Sequence, residues 1–586
     1  EIGVRLVGSE MCIRDSYMAS AGLSYQILDW LNVAGRVRID NTHSEYEGKL
    51  YASSSNTLTD GSSQGHYTVN NGQYSQTYAD VLVNINKRIQ DFTIVANIGA
   101  SYSGVTSKEL GYAGPIRETG IPNLFNVYDL DNAKKRATQV GWREATESIF
   151  ASAEVGWKSM LYLTVTGRND WASQLTHSPQ ASFFYPSVGL SAVITEILKL
   201  PDWVDYLKVR GSFSSVGNPY PRFLTYPTYS YDANKQDWKS QTNYPIGKLY
   251  PERTDSWEVG LDATLFKDFK LSGSFYYANT YNQTFDPRLP VSSGYDKLYV
   301  QTGYVRNYGF EAMLSYGHRW GDFGWDSSFT FSANKNEIVE LVKDYVHPET
   351  GKTYNVDKLE LKTDEGRGFG KAKFILKEGG TLGDLYTHAD LKRDINGNVL
   401  IDDSGNVTAI DNAGDIKLGS VLPKANLAWN NSFSYKGINA GFLLTARLGG
   451  IVYSATQAYL DLYGVSETSA AARDAGGVWI NGRSRVNPQS FYEVVASQSG
   501  LPTYYTYSAT NLRLQEAHIG YTVPRRWLGN VCDINVSLVG RNLWMIYCKA
   551  PFDPEAVATT NNYYQGIDYF MMPSTRNIGF NIKINF

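Results

Sequence analysis

The chain has 586 residues, long enough for several soluble domains or one very large barrel. Its formal net charge of −4 leaves no basic footprint for nucleic acid. No run approaches the ~18 apolar residues of a membrane helix, which excludes helical spans but not barrels, whose alternating strands score weakly on hydropathy.

The first segment, Glu1 to Ser16 (EIGVRLVGSEMCIRDS), has neither the rhythm nor the composition of the rest of the chain. It reads as a non-native artefact of sequence assembly and is set aside, with the expectation that the natural start lies elsewhere. From residue 17 on, strands recur to the end of the chain. Leu31, Val33, Gly35, Val37 and Ile39 alternate with Asn32, Ala34, Arg36, Arg38 and Asp40; Val81, Val83 and Ile85 come next. Trp257, Val259, Leu261, Ala263 and Leu265 face away from Glu258, Gly260, Asp262 and Thr264. Ile534, Val536 and Leu538 oppose Asp533, Asn535 and Ser537. The last ten residues, 577–586, set Ile578, Phe580, Ile582, Ile584 and Phe586 against Gly579, Asn581, Lys583 and Asn585. That decamer fits a tilted strand between lipid and water, or the edge strand of a soluble sandwich. The alternation predicts about seventeen strands and almost no amphipathic helix.

The connections alternate in length. Short ones are predicted near 29–32, 88–92, 157–160, 198–205, 266–270, 318–323, 436–438 and 525–531. Long polar ones fall near 44–74, 106–134, 172–182, 216–251, 287–298, 342–420, 455–510 and 549–576. Outer-membrane barrels have short periplasmic turns and long extracellular loops, and a soluble sandwich has no reason to keep this beat. Trp30, Trp157, Trp203, Trp320 and Trp527 lie in or beside the short connections, as expected of a periplasmic aromatic girdle. Aromatics packing over a core at hairpin ends are the alternative. The fold class expected is all-β: a large antiparallel transmembrane β-barrel that crosses the membrane many times.

Several phrases carry a family likeness, in order, across residues 150–586. They are Arg168-Asn169-Asp170-Trp171 with Phe184 to Gly189, Leu207 to Phe213 with Val216-Gly217-Asn218, and Glu252 to Leu265. Asn307 to Glu311, Leu512-Arg513-Leu514 with Gly520 to Pro524, and Gly540-Arg541-Asn542-Leu543 with Phe552-Asp553-Pro554-Glu555 complete the set. Together they resemble the SusC/RagA-like TonB-dependent transporters of Gram-negative outer membranes. The resemblance implies a barrel of 22 strands around an N-terminal plug. With about seventeen strands and no plug-like segment before residue 17, residues 17–586 are expected to be the C-terminal part of such a barrel, a fragment. It further implies import of oligosaccharides or peptides, energy from a TonB–ExbB–ExbD complex through the N-terminal region, and a SusD-like surface lipoprotein over the loops. Phe586 is implied as the signal read by the outer-membrane assembly machinery. The alternatives are a surface receptor or adhesin without transport, and a barrel hydrolase.

No catalytic constellation accompanies these strands, so an enzyme is not expected. Gly61-Ser62-Ser63-Gln64-Gly65 lacks the strand and helix a nucleophile elbow needs. Gly366-Arg367-Gly368-Phe369-Gly370 sits in a long loop without the context of a phosphate cradle. His177, His347 and His388 have no metal-binding spacing, and Cys532 and Cys548 bracket one predicted strand, too far apart for a disulfide. Asp394, Asn396 and Asp402 are candidate calcium ligands, but the loop lacks the Gly and Glu of an EF-hand and reads better as a solvated Asx-rich turn; no cofactor is expected. The loop tyrosines Tyr220, Tyr229, Tyr231, Tyr504, Tyr505, Tyr563 and Tyr564 are candidates for contact with cargo or partner, with loop packing as the equal alternative.

Overall fold

The computed structural model describes residues 8–224, 229–232, 237–240, 243–244, 249–285, 297–298, 300–346, 351, 353–361, 370–529, 531–557 and 565–585. Among these residues the main sheet has 17 antiparallel strands. They are β1 (Gly8–Leu28), β2 (Leu31–Tyr51), β3 (Gly65–Ile89), β4 (Phe92–Pro115), β5 (Arg136–Trp157), β6 (Leu161–Ala172), β7 (Ser182–Val193) and β8 (Val204–Asn218). Next come β9 (Glu252–Leu265), β10 (Phe269–Phe285), β11 (Val300–Trp320), β12 (Phe323–Glu340), β13 (Ala425–Tyr435), β14 (Ile438–Leu448), β15 (Asn511–Val523), β16 (Asp533–Cys548) and β17 (Asn577–Asn585). The chain divides into two compact units. The first takes in Glu1–Gly189 and Ser214–Glu252, and the second Leu190–Phe213, Arg253–Leu289 and Lys297–Phe586.

In the first unit β1 to β5 pair in sequence order, with registers that are continuous apart from one shift between Gln26 and Leu28 of β1, and β6 continues from β5. Register sorts the side chains into two faces. One face runs from the row Phe92, Trp157, Leu161 through Ile94, Val155, Leu163 and Ile98, Ala151, Gly167 to the row Tyr102, Glu147, Trp171. About ten residues at ~3.3 Å separate the two aromatic rows, so a strand tilted ~45° raises one roughly 24 Å above the other. That matches the ~25 Å apolar band of an outer-membrane wall. The other face carries Asn97, Ser152 and Thr166, then Ser101, Ser148 and Asp170, and is mainly polar, with Leu82, Val95 and Phe150 among its apolar members.

The second unit repeats the pattern. A lower aromatic row joins Trp320, Phe323 and Tyr435, and an upper one joins Trp257, Tyr277 and Tyr308. Between them on the same face lie Val259, Phe275 and Phe310, then Ala263, Leu271, Leu314, Phe329 and Trp429. Two residues above Trp257 the same face turns to Asp255, Asn279, Arg306 and Glu337, where apolar surroundings would end.

The eight short connections fall where the sequence places them, but three other features depart from expectation. First, β2 to β5 run far past the Tyr102 row: β4 continues about thirteen residues to Pro115, some ~40 Å of strand. The expected loop 44–74 is therefore largely strand, with its tip only at 52–64, and the expected loop 106–134 gives up 106–115 to strand, leaving 116–135 as the connection. Polar residues such as Thr, Ser, Gln and Asn hide the alternation there, because both faces meet water. Second, Gly8 to Ser16 lie within β1 and pair with Leu50 to Thr42. Third, the loops of the second unit contain helices, at Ala455–Leu462, Glu467–Asp474 and Pro488–Val495. Each opens on a side chain that accepts a backbone N–H: Ser454 from Gln457, Ser466 from Ser469, and Asn487 from Gln489 and Ser490, with Pro488 at the first helical position.

These helices pack with a four-stranded sheet (Lys358–Leu361, Ala372–Lys377, Asp384–Thr387, Ile416–Ser420) around one apolar core that includes Phe374, Leu376, Leu385, Tyr453, Phe491, Val495 and Tyr505. Phe374 is fully buried in it. Phe374→Ala should cost about 3–5 kcal/mol of this module's stability. Limited proteolysis within 351–424 should rise while the strands of the wall stay resistant.

Candidate functional site

The polar faces carry the arrangement with most chemical content. In the first unit Arg36 pairs with the buried Asp80 at 3.0 Å across β2 and β3. Arg168 donates to Asp170 at 2.7 Å and to Ser148 at 2.8 Å, while the Tyr185 hydroxyl donates to the other oxygen of Asp170. In the second unit Arg210 reaches Asp262 at 2.7 Å, and Ser272 donates to the same carboxylate at 2.7 Å. Glu258 lies 3.5 Å from Arg210. Asp80 and Asp170 are buried, and buried charges persist only when paired and hydrogen-bonded, as these two are.

Above Asp262 the second unit's polar face opens into a cavity of about 770 Å³. Its rows are Ser274, Glu311, Ser332, Asn426 and Arg447, then Ser272, Met313, Thr330, Ala428 and Thr445. Hydroxyls and amides share the lining about evenly with apolar groups, and Arg210, Arg447, Glu311 and Glu555 are its charges. Such a wall offers polar surface many weak hydrogen bonds.

The sequence carries a signal for the Arg168–Asp170 pair and for two further ion pairs of the same spacing. Arg-x-Asp occurs at Arg38 and Asp40, Arg168 and Asp170, and Arg253 and Asp255, and period two puts both residues on one face. All three close as ion pairs, at 2.7, 2.7 and 2.8 Å.

The five tryptophans of the short-turn side sit at strand ends or turns. Trp30 lies under Lys87 at 4.5 Å, and Trp157 stands opposite Phe92. Trp203 stacks on Phe266 at 5.5 Å and Trp320 on Phe323 at 5.9 Å; Trp527 is exposed on the short helix Arg525–Leu528. Phe586, Tyr563 and Tyr564, with His347 and Gly366 to Phe369, lie outside the described residues.

The structure separates the remaining tyrosines. Tyr220 and Tyr505 are buried. The Tyr505 hydroxyl donates to Asp461 at 3.0 Å, and burial together with that carboxylate pushes its pKa up. Tyr504 packs edge-on against Phe491 at 6.1 Å. Tyr504 and Tyr505 hold their loop module together. Tyr229 and Tyr231 are exposed on the strand Tyr229–Asp232, with Trp238 edge-on to Tyr231 at 5.3 Å.

Asp394 accepts from the Asn396 and Asn398 backbone N–H groups, both at 2.8 Å, and from the Asn398 amide at 3.0 Å, which holds its carboxyl below the usual range. Asp402 repeats the turn with Ser404 and Asn406, both at 2.9 Å. The two hairpins share the pattern Asp-x-x-Gly-Asn, and the first is pinned by the Asn481 amide bonded to both N and O of Val399. Among the described residues no three His, Cys, Asp or Glu side chains cluster as metal ligands, and Cys12, Cys532 and Cys548 are free thiols.

Comparison with known proteins agrees with this wall. Residues 10–543 match the family model described as TonB dependent receptor-like, beta-barrel. The chain is 23% identical to TonB-dependent receptor P3 of Formosa agariphila, over 97% of its own length and 58% of that protein. It is 24% identical to TonB-dependent receptor SusC of Bacteroides thetaiotaomicron, over 68% of its length and 40% of that protein. The solved structure of the RagAB peptide transporter superposes with a TM-score of 0.74 at 17% identity, covering 98% of this chain and 62% of that one. The chain thus spans about half the length of the relatives it matches, from 40% of SusC to 58% of receptor P3. A strand-by-strand wall with one apolar face, one polar face and long outer loops, matched by a family model over most of its length, places this chain in the TonB dependent receptor-like β-barrel family of outer-membrane proteins.

Proposed function

We propose that this chain is the barrel wall of an energy-coupled importer for oligosaccharides or peptides, working with a SusD-like surface lipoprotein over its outer loops. The observation that carries the reading is the polar face: internally paired arginines and carboxylates, with hydroxyl-rich rows that offer a wet inner surface to a polar cargo or to a plug. The apolar face between two aromatic rows holds the same strands in lipid. The tall β2–β5 extension and the packed loop module of the second unit supply surface on which cargo and a lipoprotein cap could settle. Energy would arrive through a TonB–ExbB–ExbD complex acting on the N-terminal region of the whole protein.

The test uses the protein expressed from its complete gene in cells with and without TonB. Labelled oligosaccharide and peptide pools should bind the surface of both and accumulate only when TonB is present. Surface binding with no accumulation in either strain would assign the protein to receptor or adhesin instead. Degradation of the label by purified protein would assign it to a hydrolase.

A further inference from the structure

The membrane-facing surface of the first unit is not smooth. Two neighbouring rows of its register read Gly35, Val81, Ala100 and Ile149, then Val37, Ala79, Tyr102, Glu147 and Trp171. Gly35, Ala79 and Ala100 are small and stand on three adjacent strands. A notch of about 520 Å³ opens over them, walled by Val37, Val81, Tyr102, Ile149 and Trp171. Arg36, Asp80, Ser101 and Ser148 also border it, but alternation turns their side chains to the other face. We propose that the notch takes an acyl chain of a phosphate-bearing lipid of the outer leaflet, with Arg143 and Lys108 holding the phosphate.

Depth selects the acyl chain. The notch lies at and just below the Tyr102 row, the upper edge of the apolar band, where the wall meets hydrocarbon. Space there is open: a Cβ on Gly35 would have one neighbour within 4 Å, the Asp80 carbonyl oxygen at 3.9 Å. The Tyr102 ring leans upward, since a Cβ on Gly104 would stand 2.6 Å from its hydroxyl. That is the posture of a tyrosine at a lipid–water boundary, with its body in lipid and its hydroxyl in water.

Charge selects the headgroup. On this face the rows above the notch read Thr77, Gly104 and Ala145, then Ser75, Thr106 and Arg143, then Gln73, Lys108 and Gly141. A Cβ on Gly141 would stand 3.8 Å from the Lys108 Cγ, which puts that side chain beside Arg143 on the membrane-facing side. Both cations are exposed, and among the described residues neither has an ion-pair partner. Those three rows hold no carboxylate.

Arg143 stands four residues beyond the Tyr102 row and Lys108 six, roughly 9 and 14 Å higher on a strand tilted ~45°. Long side chains reach back down from there into the headgroup layer, which is about 5–7 Å deep. Gly104 and Ala145 leave the path from the notch to the cations clear of bulk. Glu147 lies at the Tyr102 row, about 13 Å along β5 from Arg143, so it repels a phosphate placed low and leaves the upper position favoured. All of these residues belong to β2–β6, and the site rests on the wall's place in the membrane and not on the importer reading.

Protein expressed from its complete gene is purified in a neutral detergent, stripped of lipid and offered phosphatidylglycerol or diacylglycerol with the same chains. Retained lipid is counted by native mass spectrometry, with dibutyl phosphate as a chainless competitor. Phosphatidylglycerol should be retained over diacylglycerol and should resist dibutyl phosphate. Arg143→Ala with Lys108→Ala should lower retention by about tenfold, as two charge-assisted contacts are lost. Gly35→Leu, which fills the notch, should abolish it while the unheated gel band of the folded protein persists. Lys87→Ala, which removes a cation at the short-turn rim beside Trp30, should change nothing, and Glu147→Gln should bind at least as well. Equal retention of diacylglycerol, displacement by dibutyl phosphate, binding that survives Gly35→Leu in the folded protein, or an equal loss in Lys87→Ala would overturn the site.

Discussion

Ile98→Arg should destabilise the wall in a bilayer by about 2–4 kcal/mol, the cost of a guanidinium near mid-depth on a barrel's lipid face. Ile98 is 53% exposed and lies between Val83 and Ala151, close to midway between the Phe92 and Tyr102 rows. Its chain neighbour Asn97 points to the polar face and donates to Ser152 at 3.3 Å. Asn97→Arg should therefore cost far less, because its charge is solvated. Urea unfolding from vesicles, or the folded fraction on an unheated gel, separates the two. Equal losses would show that the faces are assigned wrongly. The same contrast holds for Ile582→Arg against Asn581→Arg on β17, where it should be weaker: among the described residues β17 pairs only with β16, and Ile582 lies nearer the short-turn rim.

Asp553→Asn should release the last long loop. Arg513, near the outer end of β15, has a side chain only 6% exposed, and it meets Asp553 at 2.8 and 3.2 Å and Glu555 at 3.2 Å. Asn511 steadies Glu555 at 3.2 Å, and Asn542 lies 3.5 Å from Arg513. Removing one partner of a buried pair leaves an uncompensated charge, commonly ~3–5 kcal/mol. The remaining Glu555 holds the expected loss near the low end, about 3 kcal/mol. Protease sensitivity within 549–576 should rise in the variant, and the double change Asp553→Leu with Arg513→Met should recover much of the resistance.

The same clamp is pH-dependent. Burial pushes the Asp553 carboxyl up, but Arg513 and the Glu555 backbone N–H outweigh it and leave its pKa below the usual carboxylate range. Such a group contributes stability in full above its unfolded pKa and loses it as pH falls through the folded value. Loop protection measured by hydrogen exchange should accordingly hold at neutral pH and fail only in acid below about 4. Loss of protection on raising the pH would contradict this sign.

The legibility of each element in the sequence depends on what its residues meet. Within the membrane band one face must be apolar and the other wet, so alternation is loud: Val33 to Ile39 and Trp257 to Leu265 are readable at once. Above the band both faces meet water. The strand residues of β2–β5 there, such as Thr42, Ser44, Asn70 and Gly72, carry no contrast, and four long strands look like loops. The helices at 455–495 are hidden for a related reason. They are only eight residues each, and their capping signals at Ser454, Ser466 and Asn487 lie inside a segment rich in polar turns.

Local pattern alone therefore determined the strands, the beat of short and long connections, the tryptophans at the short turns and the membership of a barrel family. Each rests on contacts within a few residues, or on the medium that a face meets. Tertiary structure alone decided the rest. Leu512-Arg513-Leu514 and Asp553-Pro554-Glu555 are both visible as phrases, yet only folding brings that arginine between those two carboxylates. Tyr505 and Tyr229 look alike in sequence, but one is buried on Asp461 while the other is open to solvent. Gly35, Ala79 and Ala100 come from three strands, and nothing local records that their registers set them side by side on one face. Pairing across long separations depends on strand register, a property of the whole sheet and not of any ten residues in it.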